Sequence, residues 1–253
     1  MFDLTNKTAF ITGGGGLLGR KHAEAIIEFG GTVILADCNE QAAIKVATEL
    51  GEKAIPVCVD ITNKQMIEGV IEQFPKIDIL INNAAKNPTV DSLTGQTKFE
   101  TMTLEYWLEG IDVALNGTFI CSQALSNKML ENGGGVILNI VSDLGIIAPD
   151  QRIYSPDSPK PITYSTAKWG MIGMTKYLAT YFADRNIRVN SLCPAGVYTD
   201  QPAEFVEKLT NLIPMGRMAE VDDYKGAIVF LCSDASSYMT GTNLIIDGGR
   251  TSW

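Results

Sequence analysis

The residues Tyr164-Ser-Thr-Ala-Lys168 could carry chemistry. On a helix, the i,i+4 spacing sets the phenol and the ammonium on one face. A lysine charge beside a tyrosine lowers the phenol pKa from about 10 and makes it a usable acid or base near neutral pH. Ser142, twenty-two positions earlier, adds a hydroxyl that could hydrogen-bond the same substrate oxygen. Spacing alone leaves a second reading open, an ordinary pair on the surface of a helix. The elements that must position these residues decide between the two.

Short β-branched runs alternate with longer helical patterns along nearly the whole chain. Ala9–Thr12, Val33–Ala36, Ala54–Val59, Ile77–Ile81, Val136–Val141, Ile187–Leu192 and Leu244–Ile246 read as buried strands. Helical patterns fall near 18–29, 39–50, 64–74, 104–131, 163–184, 202–212 and 220–233. Strands without polar alternation, separated by helices, imply a parallel sheet covered on both faces. The expected fold is therefore α/β: one doubly wound domain over 1–253 with about seven strands and helices on both faces. Segments near 85–103 and 143–162 follow strands at their carboxyl ends, where ligands bind in such sheets, and read as substrate loops. A third, 195–215, belongs with them.

Composition narrows the function. A charge of −9 and a pI near 4.7, with no basic run, argue against a nucleic-acid surface. No apolar stretch approaches the roughly 20 residues that span a bilayer. The first seven residues lack the basic-then-apolar pattern of a signal peptide. The 5 cysteines are scattered without a CxxC and read as buried thiols of a reduced cytoplasmic protein. His22 is the only histidine, which removes Ser-His-Asp hydrolysis and histidine-rich zinc sites. His22 itself reads as an exposed helix residue, and no metal-ligand spacing is present.

Thr12-Gly-Gly-Gly-Gly-Leu-Leu-Gly19 lies between the first strand and the first helix. Glycines there permit a tight turn and let the backbone approach a pyrophosphate at the helix N-terminus, although a glycine string alone is also simply a flexible loop. Asp37 closes the second strand, where a carboxylate accepts from a ribose 2′-hydroxyl and repels a 2′-phosphate. Cys38 follows and the turn holds no arginine or lysine, which favours NAD over NADP. The competing reading is that Asp37 caps the helix starting near Asn39. Asp60-Ile61 and Asn82-Asn-Ala-Ala85 end the third and fourth strands on the same edge and could contact adenine and its ribose.

Taken with Asn139-Ile-Val-Ser142, Asn190-Ser-Leu-Cys-Pro194, Pro214-Met-Gly-Arg217, Thr240-Gly241 and Asp247-Gly-Gly249, these motifs resemble the short-chain dehydrogenase/reductase family, in order from about residue 4 to 249. The resemblance implies a single-domain Rossmann fold, a nicotinamide cofactor and hydride transfer between alcohol and carbonyl. It makes Tyr164 the general acid/base, Ser142 the residue that orients and polarises the substrate oxygen, and Lys168 the residue that lowers the tyrosine pKa and binds the nicotinamide ribose. It places NAD against Gly13, Gly16, Leu18, Gly19, Asp37, Asp60, Ile61, Asn83, Ala84, Lys168, Pro194, Val197 and Thr199; Val197 and Thr199 resemble residues that hold the nicotinamide carboxamide. It also implies a homodimer or homotetramer built on the helices near 104–131 and 163–184.

Two departures stand out. Leu17 replaces the usual middle glycine, so the turn reads Gly13, Gly16, Gly19, a spacing typical of the extended branch that often acts on nucleotide sugars. The usual catalytic-helix asparagine aligns with Ala114, and Asn116 is two residues, about 200°, further round. An altered proton relay is therefore expected.

The segment 146–163 holds four prolines and the polar residues Asp150, Arg152, Asp157 and Lys160, a stiff and polar wall unsuited to a steroid or long acyl chain. Arg152 could bind a substrate carboxylate or phosphate, or be a solvated loop arginine. With Thr199–Glu207, this segment resembles bacterial oxidoreductases called flagellin modification protein A, associated with legionaminic-type sugar-acid biosynthesis. That implies a small sugar or sugar-acid substrate. A nucleotide-sugar epimerase or dehydratase retaining NAD, and a non-catalytic cofactor-binding protein, are the alternatives.

Overall fold

The computed structural model describes residues 1–86 and 95–253. Its centre is a seven-stranded parallel sheet in the order β3-β2-β1-β4-β5-β6-β7. The strands are β1 Thr8–Thr12, β2 Thr32–Asp37, β3 Ala54–Cys58, β4 Ile79–Asn82, β5 Gly135–Ile140, β6 Ile187–Pro194 and β7 Asn243–Ile246. The helices are α1 Leu17–Glu28, α2 Glu40–Leu50, α3 Lys64–Ile71, α4 Leu104–Ile111, α5 Gly117–Glu131, α6 Ile162–Tyr181, α7 Ala203–Thr210 and α8 Lys225–Cys232. The α/β fold with about seven parallel strands is as the hydrophobic pattern requires.

The central strands β1, β2 and β4 are buried on both faces because both are covered, while the edge strands β3 and β7 are partly exposed. Alternate residues belong to different cores. Ala9, Ile11, Leu35 and Ile81 pack with Ala23 and Ile26 of α1 and Ile228 and Leu231 of α8. Phe10, Ile34 and Leu80 pack with Ile67 of α3, Leu125 and Met129 of α5, and Ala179 of α6. A buried polar chain crosses the second core: Asn82 Nδ2 donates to Ser122 Oγ at 3.1 Å and to Asn139 Oδ1 at 2.9 Å, and Asn139 Nδ2 donates to Thr175 Oγ1 at 2.8 Å. It pins β4 to β5, α5 and α6, the elements that carry the Ser-Tyr-Lys residues or flank them.

Several expectations need correction. The segment 104–131 is helical throughout, as expected, but its middle, Asp112–Asn116, is a π-helical turn between α4 and α5. The segment 220–233 opens with a 3₁₀ turn at Val221–Tyr224 before α8. His22 is buried, not exposed, because the α1 face carrying Gly19, His22, Ala23 and Ile26 is the one turned inward. Cys121, Cys193 and Cys232 are buried, whereas Cys38 and Cys58 are exposed at the ends of β2 and β3, beside the open edge of the sheet. Part of the expected loop 85–103 lies outside the described residues. Among the described residues, no helix is long and apolar enough to cross a membrane.

Candidate active site

The strand order reverses between β1 and β4, and a crevice opens there beyond the carboxyl ends of the strands, the general ligand position in such sheets. It continues into a cavity of about 730 Å³ that runs from Gly13 and Asp37 at one end to Ser142, Tyr164 and Lys168 at the other.

At the first end, Gly13 has φ +64°, which a side chain would strain. A Cβ on Gly19 would sit 2.1 Å from the Gly13 carbonyl oxygen, so the turn closes onto α1 only with glycine. Gly16 is the N-cap of α1 and supplies no side-chain cap, and the first turn holds no acidic residue. Free N–H groups at the positive end of the helix dipole therefore face a cavity lined by Gly13, Gly16, Leu17 and Leu18. Asn83 and Ala84 brace the turn: Thr12 Oγ1 accepts from both backbone N–H groups at 2.9 and 3.0 Å, and Asn83 Nδ2 donates to the Thr12 carbonyl at 2.9 Å.

Asp37 also reaches this end. One carboxylate oxygen accepts from Gly15 N–H at 3.0 Å and the other from Asn39 N–H at 2.9 Å. Asn39, not Asp37, caps α2 by accepting from Ala42 N–H. Asp60 and Ile61 do not line this cavity. The Asp60 carboxylate accepts from Thr62 N–H and Oγ1, and Ile61 is buried in the core.

At the second end, β5 delivers Ser142 and α6 delivers Tyr164 and Lys168. Lys168 Nζ donates to the Ile140 carbonyl at 2.7 Å and stands 5.7 Å from the centre of the Tyr164 ring. Burial pushes Lys168 down to about 7. Burial pushes the Tyr164 phenol up to about 12, against the lowering effect of a hydrogen bond with Ser142. The expected lysine-driven lowering of the phenol is thus outweighed here, because the Lys168 ammonium is turned to a carbonyl and the phenol is shielded from water.

Sequence reasoning missed an ion pair next to these residues. Ser142 Oγ donates to Asp143 Oδ1 at 2.8 Å, and Arg250 donates to Asp143 Oδ2 at 2.6 Å, with Asp143 and Arg250 almost wholly buried. No motif announces an arginine 107 residues away along the chain. Lys160 was legible only as a polar residue of the wall; its ammonium lies 4.1 Å from the Tyr164 ring centre. Arg152 is not at the site. Its exposed guanidinium turns outward onto Asp150 in the same 3₁₀ turn, at 2.6 Å.

Pro194, Val197 and Thr199 line the cavity after β6. Gln201 bridges two of them: its amide donates to the Val197 carbonyl at 2.8 Å and its oxygen accepts from Thr199 N–H at 2.8 Å. Ala114 is buried in the π-helical turn, and Asn116 does not replace an asparagine there, since its amide donates to Asp112 Oδ1 at 2.9 Å on the exposed side. Ile153 and Tyr154 pack on Phe205 and Leu209, which joins the loop 143–162 to α7 as a roof.

This doubly wound sheet and the convergence of Ser142, Tyr164 and Lys168 define an α/β oxidoreductase class, and comparison with known proteins agrees. A family model described as enoyl-(acyl carrier protein) reductase matches residues 16–251. An NAD-dependent glycerol dehydrogenase from Listeria innocua is 34% identical over 99% of this chain and 96% of its own. A short-chain dehydrogenase from Leptospira borgpetersenii with bound NAD+ is 35% identical, covers 98% of this chain and 94% of its own, and superposes with a TM-score of 0.88. A gluconate 5-dehydrogenase from Burkholderia cenocepacia in complex with NADP and tartrate is 29% identical, covers 100% and 98%, and has a TM-score of 0.86. The chain belongs to the short-chain dehydrogenase/reductase family, oxidoreductases acting on CH–OH groups.

Proposed function

We propose that this protein is an NAD(H)-dependent oxidoreductase interconverting an alcohol and a carbonyl on a polar sugar or sugar-acid substrate. The observation that carries the reading is one cavity holding an anion-accepting helix start and Asp37 at one end and Ser142, Tyr164 and Lys168 at the other. The residues present fit the dinucleotide. The Gly13–Leu18 turn and the start of α1 receive its pyrophosphate, and Gly19 lets them approach. Asp37 receives the adenosine ribose, Asn83 and Ala84 hold the turn, and Pro194, Val197 and Thr199 flank the nicotinamide end. NAD, when bound, supplies the hydride acceptor or donor.

The chain's own groups manage the proton. Tyr164 Oη gives a proton to the substrate oxygen in reduction and takes it back in oxidation. A phenol with a pKa near 12 is fully protonated at neutral pH and ready to donate. For the reverse step, positive charge from Lys168 and Lys160 favours the phenolate. Ser142 holds the substrate oxygen beside Tyr164, and Asp143 and Arg250 hold Ser142. Ala114 carries no proton, so the relay from Tyr164 toward solvent runs without an asparagine at that place.

Asp37 supports NAD over NADP, as does the name of the Listeria relative, while the Burkholderia relative holds NADP. The polar groups of 143–162 that line the cavity, Asp143, Tyr154 and Lys160, and the glycerol and gluconate relatives support a small polyhydroxylated substrate. The whole chain acts as one domain, with the loops near 143–162 and 195–215 lining the substrate end of the cavity. Exposed Leu104 and Leu108 of α4, Phe119 of α5, and Trp169, Tyr177 and Tyr181 of α6 support a homodimer or homotetramer. Unpaired thiols agree with a cytoplasmic setting.

The Gly13/Gly16/Gly19 spacing favours a second reading, a sugar-nucleotide epimerase or dehydratase that retains NAD. Incubation with NAD or NADH and a panel of polyols, sugar acids and nucleotide sugars, followed at 340 nm, separates the two. A net absorbance change with a polyol or sugar acid is expected. Product without net change marks the second reading, and tight NAD binding without turnover across the panel marks a non-catalytic protein.

A further inference from the structure

A serine hydroxyl has one proton to give and two lone pairs to offer, and at Ser142 the neighbours have claimed most of them. Ser142 Oγ donates to Asp143 Oδ1 at 2.8 Å and accepts from Leu144 N–H at 3.1 Å. Asp143 is a strong acceptor with no proton of its own to give, because Arg250 donates to its other oxygen at 2.6 Å and both side chains are buried. The same hydroxyl also meets the Tyr164 phenol, and both line the cavity. One lone pair of Ser142 is therefore left to face Tyr164 and the substrate space, and there it can only accept.

We propose that the Asp143–Arg250 pair makes Ser142 a hydrogen-bond acceptor toward substrate, and that the substrate is a vicinal diol or the matching α-hydroxy ketone, its reacting oxygen on Tyr164 and its neighbouring hydroxyl donating to Ser142. This rests on the reading of Tyr164 as the proton-transferring group. In oxidation, the carbinol carbon loses a hydride to NAD+ and its hydroxyl proton goes to Tyr164, so that proton is not there for Ser142 to accept. A second hydroxyl supplies the donor and keeps its own proton throughout. Oxygens on adjacent carbons lie about 2.9 Å apart in a gauche rotamer, the spacing of two hydrogen-bonded hydroxyls such as those of Tyr164 and Ser142. An ether or carbonyl oxygen in the second place would set one lone pair against another.

Asp143 and Arg250 act through Ser142 and are positioning residues. Asp143→Asn keeps the side-chain shape and an oxygen for Arg250, but its amide can donate to Ser142 Oγ and so free the serine proton to turn into the cavity. The preference for a donating hydroxyl should then disappear. Ser142→Ala removes the acceptor itself and leaves the buried ion pair in place, so it reads the same preference without stranding a charge.

The probes are 2,3-butanediol and 3-methoxy-2-butanol, whose ether oxygen accepts but does not donate. They are compared by kcat/KM with NAD in the native protein and by titration calorimetry on NAD-loaded Tyr164→Phe, where turnover is blocked. The diol should be favoured at least about fivefold, the worth of one hydrogen bond. In the Tyr164→Phe background, Asp143→Asn and Ser142→Ala should each bring the ratio of the two affinities to within about twofold of unity, with NAD affinity unchanged. A neutron structure of the native protein, which needs no substrate, should show the Ser142 deuteron on the line to Asp143. A deuteron turned to Tyr164 or the cavity, a ratio that survives both substitutions, equal binding of the two probes, or binding of neither would each overturn the diol assignment. Full turnover by Tyr164→Phe would instead overturn the reading beneath it.

Discussion

Arg250→Met removes the cation of an ion pair that is almost fully withdrawn from water. Arg250 is 6% exposed and Asp143 2%, and their closest approach is 2.6 Å. Both Asp143 oxygens are committed, one to Arg250 and the other to Ser142 Oγ and Leu144 N–H. Deleting the guanidinium strands a buried carboxylate, which costs about 3–5 kcal/mol in comparable settings. Against a total stability of roughly 5–15 kcal/mol, that is a severe loss. For a chain of this length, about 2 °C of melting temperature accompanies each kcal/mol, so Tm should drop by roughly 6–10 °C. The assay is thermal unfolding without NAD at fixed protein concentration, with Asp143→Leu and the double variant completing a cycle. Removing both charges should recover much of the loss, with a coupling of at least about 1.5 kcal/mol. A cost below about 1 kcal/mol for Arg250→Met, or strict additivity in the cycle, refutes the argument.

His22 is buried, and among the described residues neither ring nitrogen has a hydrogen-bond partner. Burial pushes its pKa down to about 3, so below pH 6.5 the unfolded chain takes up a proton that the folded one refuses. Its contribution is intact above pH 6.5 and should fall by about 2 kcal/mol by pH 5; urea midpoints of His22→Leu at pH 7.5 and 5 should lack that decline, and equal declines in both proteins would contradict the burial argument. Gln201 occupies the Val197 carbonyl and Thr199 N–H with its own carboxamide, the groups proposed to meet the nicotinamide amide. Gln201→Ala should tighten NAD binding roughly 3- to 10-fold by calorimetry, and weaker or unchanged binding would show that the bridge does not compete.

The fold was legible because unalternated strands separated by helical patterns leave one economical arrangement, a parallel sheet covered on both faces. Ser142, Tyr164, Lys168, Asp37 and the glycine turn were legible for a related reason: each ends or begins an element at the carboxyl edge, so topology alone assembles them. Charge pairing was not. Asp143 and Arg250 meet only after β7 returns the C-terminal residues to the cavity, and Arg152 turns away because Asp150, two residues before it, offers a nearer carboxylate. His22 was misplaced because α1 buries a face broad enough to include a histidine among small residues. The expected lowering of the Tyr164 phenol weighed a neighbouring charge without the burial that opposes it.

The central claim is that Tyr164 moves the substrate proton in an alcohol–carbonyl redox reaction. The most direct measurement is turnover at 340 nm, with NAD affinity alongside, for the native protein and Tyr164→Phe on the best substrate of the panel. Loss of the hydroxyl should lower kcat by roughly 10²- to 10⁴-fold and leave the NAD dissociation constant within about threefold. Turnover by Tyr164→Phe equal to that of the native protein would contradict it.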